Sequence, residues 1–328
     1  MAKQLPPKQL PLCLTPGDPT GIGPEITLKF LSHYKVDADK GFCPIVVIGS
    51  KQALLDQAQA LGMALPESPE ITYIDIVEAM PGKTAYQALV RSVELIAGKK
   101  AKGLVSGPIS KANLHQAGLS YGGHTEILQD LANTHFPMPT AGGRYQADML
   151  FVYRQFRMLL LTRHIALRDV SSHLNPDNIT RALNSLLFFL KHQARIETPR
   201  LGILGVNPHA GEMQQQQEFC EERDILVPVL KKLSAQWQMP IDPPLPADAA
   251  FRGFLPDNPP YDCYVAPYHD QGLIPMKLVA GMHAVNVTIG LPFLRTSVSH
   301  GTAPDIAGKG IADASALEAA FDLACQLT

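Results

Sequence analysis

The chain lacks most of the short motifs that mark a nucleotide or metal site. After its first apolar run the residues are Gly21, Ile22, Gly23, Pro24, Glu25 and Ile26, so the third glycine of GxGxxG is missing and the first-strand dinucleotide fingerprint fails. There is no GxxxxGK[ST] phosphate loop, no HExxH and no GxSxG. The cysteines (Cys13, Cys43, Cys220, Cys263 and Cys325) are odd in number and show no CxxC spacing. That argues against a disulfide framework and a thiolate zinc site, and suits a reducing compartment. No apolar run approaches the roughly 20 residues of a membrane span. The N-terminal MAKQLPPKQLPLCL is polar and proline-broken, without the order of a secretory signal. A formal net charge of −2 supplies no field for a polyanion, which argues against nucleic acid or acidic lipid as a partner. These absences together predict a soluble, cytoplasmic protein.

What is present is a globular α/β pattern. At 328 residues and 46% hydrophobic content, the chain can bury two cores. Short apolar runs (PLCLT, CPIVVIGS, GLVSGPIS, RLGILGVN, YDCYVAPY, AVNVTIG) alternate with helical stretches such as KQALLDQAQALG, AYQALVRSVELIAGKKA and NITRALNSLLFFLKHQA. The alternation predicts βα units and a mainly parallel sheet, with AVNVTIG as the last strand and IADASALEAAFDLACQL as a terminal helix. DMLFVY and RMLLLT read as a hairpin turning across residues 154–156. MPIDPPLPAD is a connection rather than an element.

Three histidines follow strands: His164 in LTRHIAL, His209 in VNPHAGE and His269 in APYHDQG. In a parallel sheet the carboxyl ends of strands face one crevice, so distant imidazoles can converge there. Any one of them alone reads as a loop residue bonding locally. Three at strand ends favour a divalent metal with an open position for substrate. Asp270 is placed to be a further ligand or to fix an imidazole tautomer, and Asp248 is a weaker candidate for the same role.

Anion candidates come next. Lys111 lies at the strand-to-helix turn of GPISK, and His124 and Thr125 stand where a helix should begin, Thr125 as its cap. Lys277, Asn286 and Arg295 flank the last predicted strand in sequence poor in other charge, and could hold a carboxylate or phosphate. Lys277 alone would pass for a solvated charge, whereas Arg295 inside GLPFLRTSV reads as partly buried. Finally, SHGTAPDIAGKG combines His300, Gly301, Thr302, Asp305 and Gly308 in a loop whose bare backbone suits close approach of a ligand, with Asp305 placed for a ribose or amine. A glycine-proline cluster of this kind is more often a plain turn.

TPGDPTGIGPE, GPISK, GGHTE, NPHAGE, APYHDQG and NVTIGLPFLRTSVSHGTAPDIAGKG together resemble the 4-hydroxythreonine-4-phosphate dehydrogenase family, also called the pyridoxal phosphate biosynthetic protein A family. The resemblance spans nearly the whole chain. It implies two α/β/α domains of the isocitrate and isopropylmalate dehydrogenase type, residues 1–133 with 281–328 and residues 134–280, with the active site in the cleft between them. It implies NAD or NADP on the loop of His300, Gly301, Thr302, Asp305 and Gly308. His164, His209 and His269 would bind a divalent metal shared across a homodimer, zinc first, with magnesium, cobalt or manganese as alternatives. His124, Thr125, Lys277, Asn286 and Arg295 match the substrate-binding positions, with Lys111 or Asp270 as the base. The implied reaction oxidises 4-phosphohydroxy-L-threonine in pyridoxal 5'-phosphate synthesis. Threonate or erythronate 4-phosphate is the alternative substrate within the family. A phosphotransacetylase-like acyltransferase is the alternative outside it, and needs neither the histidine triad nor the loop.

Overall fold

The computed structural model describes residues 9–34, 43–137 and 143–328; the first eight residues of the N-terminal segment read above lie outside these. The chain divides into two compact units, Met1–Ala147 with Leu291–Thr328, and Asp148–Gly290. Among the described residues no helix is long and apolar enough to cross a membrane.

The first unit runs β1 (Leu12–Thr15), α1 (Gly23–His33), β2 (Ile45–Gly49), α2 (Lys51–Ala60), β3 (Ile71–Asp75), α3 (Pro81–Ala97), β4 (Gly103–Ser106), α4 (Lys111–Gln116) and α5 (His124–His135). The second holds β5 (Asp148–Tyr153), β6 (Phe156–Leu160), α6 (Val170–His173), α7 (Pro176–His192), β7 (Leu201–Ile203), α8 (Val227–Trp237), β8 (Cys263–Ala266), α9 (His269–Ala280) and β9 (Val285–Ile289). The chain then returns to the first unit with β10 (Leu294–Ser297) and α10 (Ser315–Leu327).

In the first unit the strands lie in the order β3-β2-β1-β4-β10, and every pairing is parallel. β1 is central, with Leu12 opposite Ile45 on one side and Gly103 on the other, and its four residues are all buried. Helices start where the sequence supplies caps: Ser50 accepts from the Ala53 amide, and Ser110 from the Asn113 amide. α3 buries Ala85, Ala88, Leu89, Val93 and Ile96 on one stripe, against Leu104 and Cys13 of the sheet.

In the second unit the order is β9-β5-β6-β8-β7; β5 is antiparallel to both β9 and β6, and β6-β8-β7 is parallel. The β5–β6 hairpin turns at Arg154–Gln155, with Arg154 left-handed at φ 54°. Packing of α9 onto this sheet requires Gly272. A Cβ there would stand 2.6 Å from Leu160 Cδ2 and 3.0 Å from Ala266 Cβ, so the bare backbone lets the helix approach β6 and β8.

Two strands escape the sequence pattern. ITYID forms β3, a partly exposed edge strand whose alternation is weak. LRTS forms β10 after AVNVTIG, so the expected last strand is the last but one. An arginine in the middle of four buried residues does not read as a strand.

Gly272→Ala is expected to lower stability by about 1–3 kcal/mol, the usual cost of overpacking. A shift of the urea midpoint at unchanged m-value would measure it.

Candidate active site

The parallel strands β6, β8 and β7 end on one edge of the second unit's sheet, and each is followed by one of the three histidines. Pairing of β6 and β8 continues past the strands. Leu161 N donates to Ala266 O at 2.9 Å, Thr162 N to Pro267 O at 3.1 Å, and Thr162 Oγ1 to the same oxygen at 2.7 Å. These bonds hold the loop of His164 against the start of α9, where His269 is the first helical residue. The two rings meet at 5.7 Å between centroids and 48° between planes. Asp270 Oδ1 lies 2.6 Å from His269 Nδ1, which fixes the tautomer and leaves Nε2 as the free ring nitrogen. A pocket of about 200 Å³ opens over the pair, lined by Arg163, His164, Leu167, Tyr268, His269 and Asp270. Nη1 of Arg163 is buried there with no hydrogen-bond partner. Arg163 and Tyr268 were not singled out from sequence, although both adjoin a chosen histidine.

His209 follows β7 but does not join that pair, and Asp248 is exposed. Among the described residues no three His, Cys, Asp or Glu side chains gather closely enough to hold a metal ion. One chain therefore brings together two of the three expected imidazoles, His269 with its tautomer oriented, which suits part of a histidine metal site.

His209 stands on unusual backbone. His209, Ala210 and Gly211 are successively left-handed, at φ 54°, 52° and 77°. For the two non-glycine residues this costs roughly 1–2 kcal/mol each and persists only where the surroundings dictate it. Glu222, 2% exposed, supplies the constraint. Its Oε1 accepts from Val206 N at 2.7 Å and Asn207 N at 2.8 Å, and its Oε2 from Asn207 Nδ2 at 2.9 Å and Cys220 Sγ at 3.3 Å. Burial pushes this carboxyl up, but the Asn207 backbone and side-chain bonds outweigh it and the net direction is down. From α9, Gln271 Nε2 donates to Gly205 O at 2.7 Å, tying the helix of His269 to the loop of His209. One of two adjacent glutamates in CEERD, Glu222 carries no sequence signal for this role.

Lys277 lies on α9, where burial lowers its ammonium below the ordinary value. Asn286, on β9, has its Oδ1 buried without a partner.

The first unit assembles a different group. Arg295 is 2% exposed in β10, with Nε donating to Ser106 Oγ at 3.0 Å and its guanidinium drawn down to about 9 by burial. His124, the first residue of α5, has a buried Nε2 without a partner. Its imidazole is held well below the ordinary value, first by burial and then by the Arg295 charge, so it is neutral at physiological pH. A sealed guanidinium beside a neutral imidazole at a helix start favours an anion. Thr125 is not the cap expected of it. Gly123 holds the N-cap position without a side-chain bond, and Thr125 sits inside the first turn. Lys111 is the exposed first residue of α4.

The loop after β10 is open. His300 Nδ1 lies 2.9 Å from Gly301 O, Ala303 is left-handed at φ 39°, and a Cβ added at Gly301 or Gly308 would meet nothing within 4 Å. Asp305 is exposed. Bare, accessible backbone of this kind fits a dinucleotide.

Residues 41–324 match the family of the pyridoxal phosphate biosynthetic protein PdxA. The chain belongs to that family. It is 37% identical to the 4-hydroxythreonine-4-phosphate dehydrogenase of Synechocystis sp., over 96% of this chain and 95% of the relative. Among solved structures, the 4-hydroxythreonine-4-phosphate dehydrogenase of Klebsiella pneumoniae superposes with a TM-score of 0.81 at 31% identity, over 97% of this chain and 99% of that one. A terephthalate 1,2-cis-dihydrodiol dehydrogenase from Burkholderia xenovorans follows at TM-score 0.63 and 26% identity, over 97% and 98%. These relatives are dehydrogenases, and the chain is an oxidoreductase of the PdxA family.

Glu222→Gln is expected to cost about 2–3 kcal/mol, since an amide presents N–H where the loop offers N–H. A carboxyl lowered by folding stabilises above the ordinary carboxylate range and ceases to do so as pH falls through its folded value. The gap between wild type and variant in urea midpoint should therefore be widest at neutral pH and shrink as pH falls below the ordinary carboxylate range.

Proposed function

We propose that this protein oxidises 4-phosphohydroxy-L-threonine with NAD+ or NADP+. The product would be 2-amino-3-oxo-4-phosphooxybutanoate, a β-keto acid that loses CO2 to give 3-amino-2-oxopropyl phosphate on the route to pyridoxal 5'-phosphate. The observation that carries the reading is the His164–His269 pair, oriented by Asp270 beside a pocket at the strand ends, in a chain whose relatives bear the name of that dehydrogenase.

His164 and His269 would hold a divalent cation, zinc before magnesium, cobalt or manganese, with His209 supplied by a second copy of the chain. Bound there, the cation supplies Lewis acidity that lowers the pKa of a substrate hydroxyl, and the dinucleotide supplies the hydride acceptor. Asp270 keeps the His269 Nδ1 proton in place, so Nε2 is the nitrogen offered outward. Arg295 and neutral His124 bind an anionic group of the substrate, with Thr125, Lys277 and Asn286 as further polar contacts. Lys111 and Asp270 are both exposed, and one of the two accepts the hydroxyl proton as the base.

A homodimer follows from the same reading. Ile274 and Leu278 are one helical turn apart on α9, 67% and 85% exposed, and Leu167 beside the histidine pocket is 72% exposed. Apolar side chains grouped in this way suit burial against a second copy.

The test is turnover. Purified protein with NAD+ or NADP+ and a divalent metal should reduce the nicotinamide with 4-phosphohydroxy-L-threonine faster than with threonate or erythronate 4-phosphate. Preference for a sugar-acid phosphate would reassign the substrate. His209→Ala should abolish turnover and weaken Co2+ binding in equilibrium dialysis by about tenfold or more. Full activity after exhaustive chelation, with no metal detected, would remove the metal role.

A further inference from the structure

The motif TPGDPTGIGPE fails as a nucleotide fingerprint, yet its backbone and side chains are committed to another loop. Ile22 N, at the start of α1, donates to Thr302 O at 2.9 Å. A Cβ at Gly21 would stand 2.8 Å from both Cβ and O of Thr302, so glycine is required for this approach. Still in the first turn of α1, Glu25 is fully buried and pairs at 2.8 Å with Lys29, one turn further on. Their remaining bonds go to main chain rather than to other side chains. Glu25 Oε2 accepts from Gly310 N at 3.2 Å and Oε1 from Ala312 N at 2.8 Å. Lys29 Nζ donates to Gly310 O at 2.9 Å and to Ala312 O at 2.7 Å. One ion pair thus satisfies both the N–H and the C=O of two alternate residues, as a neighbouring strand would.

The loop is consequently fixed at both ends to one helix. From Ile22 to Lys29 the helix rises about 10 Å. The ten residue-to-residue steps from Thr302 to Ala312 could reach about 33 Å if extended. The excess length is taken up between the two anchors as a bow of turns, and Ala303, Pro304, Asp305 and Gly308 lie on that bow. Its shape depends on where the ends are held, because the bow itself has few bonds: Ile306 N to Ala303 O and Lys309 N to Ile306 O.

We propose that Glu25 and Lys29 are positioning residues for the dinucleotide: touching no ligand themselves, they fix the Gly310–Ala312 end of the loop and so hold the intervening backbone in its binding shape. This rests on the reading of that loop as the NAD(P) site. Breaking the pair releases one end, and the dinucleotide must then order the loop on binding, which lowers affinity without altering groups that act on the substrate.

The probe is NADH or NADPH, whichever the wild-type protein binds, titrated by its fluorescence. Lys29→Met should raise its Kd on the order of tenfold. Lys29→Arg, which keeps the donors, should stay near wild type. In turnover, KM for the dinucleotide should rise while KM for 4-phosphohydroxy-L-threonine and kcat at saturating dinucleotide stay within about twofold. If Lys29→Met leaves an unpaired buried carboxylate and fails to fold, the Glu25→Gln/Lys29→Met double variant removes both charges and takes its place. Hydrogen exchange of the wild type gives an independent check: bound dinucleotide should slow the Gly310 and Ala312 amides together with those of residues 301–308. Asp305→Ala separates the possible failures. If Asp305→Ala weakens dinucleotide binding and the clamp variants do not, the positioning role is overturned alone. If neither has an effect, or if the wild type binds neither cofactor, the loop is not the site and the proposal falls with that reading.

Discussion

Backbone that leaves a parallel sheet loses its ladder, and its N–H and C=O groups must find other partners if they are buried. In this protein two buried carboxylates meet that need where the candidate chemistry is concentrated. Glu222 gathers the amides of Val206 and Asn207 and thereby shapes the turn that carries His209. Glu25, with Lys29, takes up both polar groups of Gly310 and Ala312 at the end of the glycine-rich loop. In each case a charge taken out of water is stabilised by several N–H donors, the condition under which a buried carboxylate is tolerated. The loops can then hold strained or bare conformations that their own residues would not maintain.

The candidate groups also differ in how their charge is managed. At the strand ends of the second unit, the His164 and His269 rings remain accessible, and Asp270 beside them is mostly solvent-exposed, which suits ligands that must exchange. In the first unit Arg295 is sealed inside β10, and burial, helped by the Arg295 charge, holds the His124 imidazole in its neutral form. A buried cation with a neutral neighbour is electrostatically set for an anion, and the low-dielectric surroundings strengthen that preference. One arrangement offers lone pairs and the other offers positive charge.

Much of this was legible in the primary structure. The strand-end placement of His164, His209 and His269 follows from βα alternation, because parallel strands finish on one edge. Arg295 within an apolar segment announced its own burial. Other features left no trace. β10 was hidden by that same arginine, and β3 by the weak alternation of an exposed edge. Thr125 looked like a cap, but the cap lies two residues earlier, at the extended Gly123, which lends no side chain. Glu222, Glu25 and Lys29 are ordinary helical charges in sequence, and Arg163 and Tyr268 are mere neighbours of a histidine.

Periodicity, turn residues and family motifs were sufficient to determine the α/β class, the order of most elements and the segments that bear the chemistry, since each depends on residues close together in the chain. Which side chains meet was decided only by tertiary structure. The His164–His269 pair, the hold of Glu222 on residues 206–207 and that of Lys29 on residues 310–312 all depend on packing between distant segments. The charge of a buried group is settled by its neighbours in space, and local sequence does not encode them.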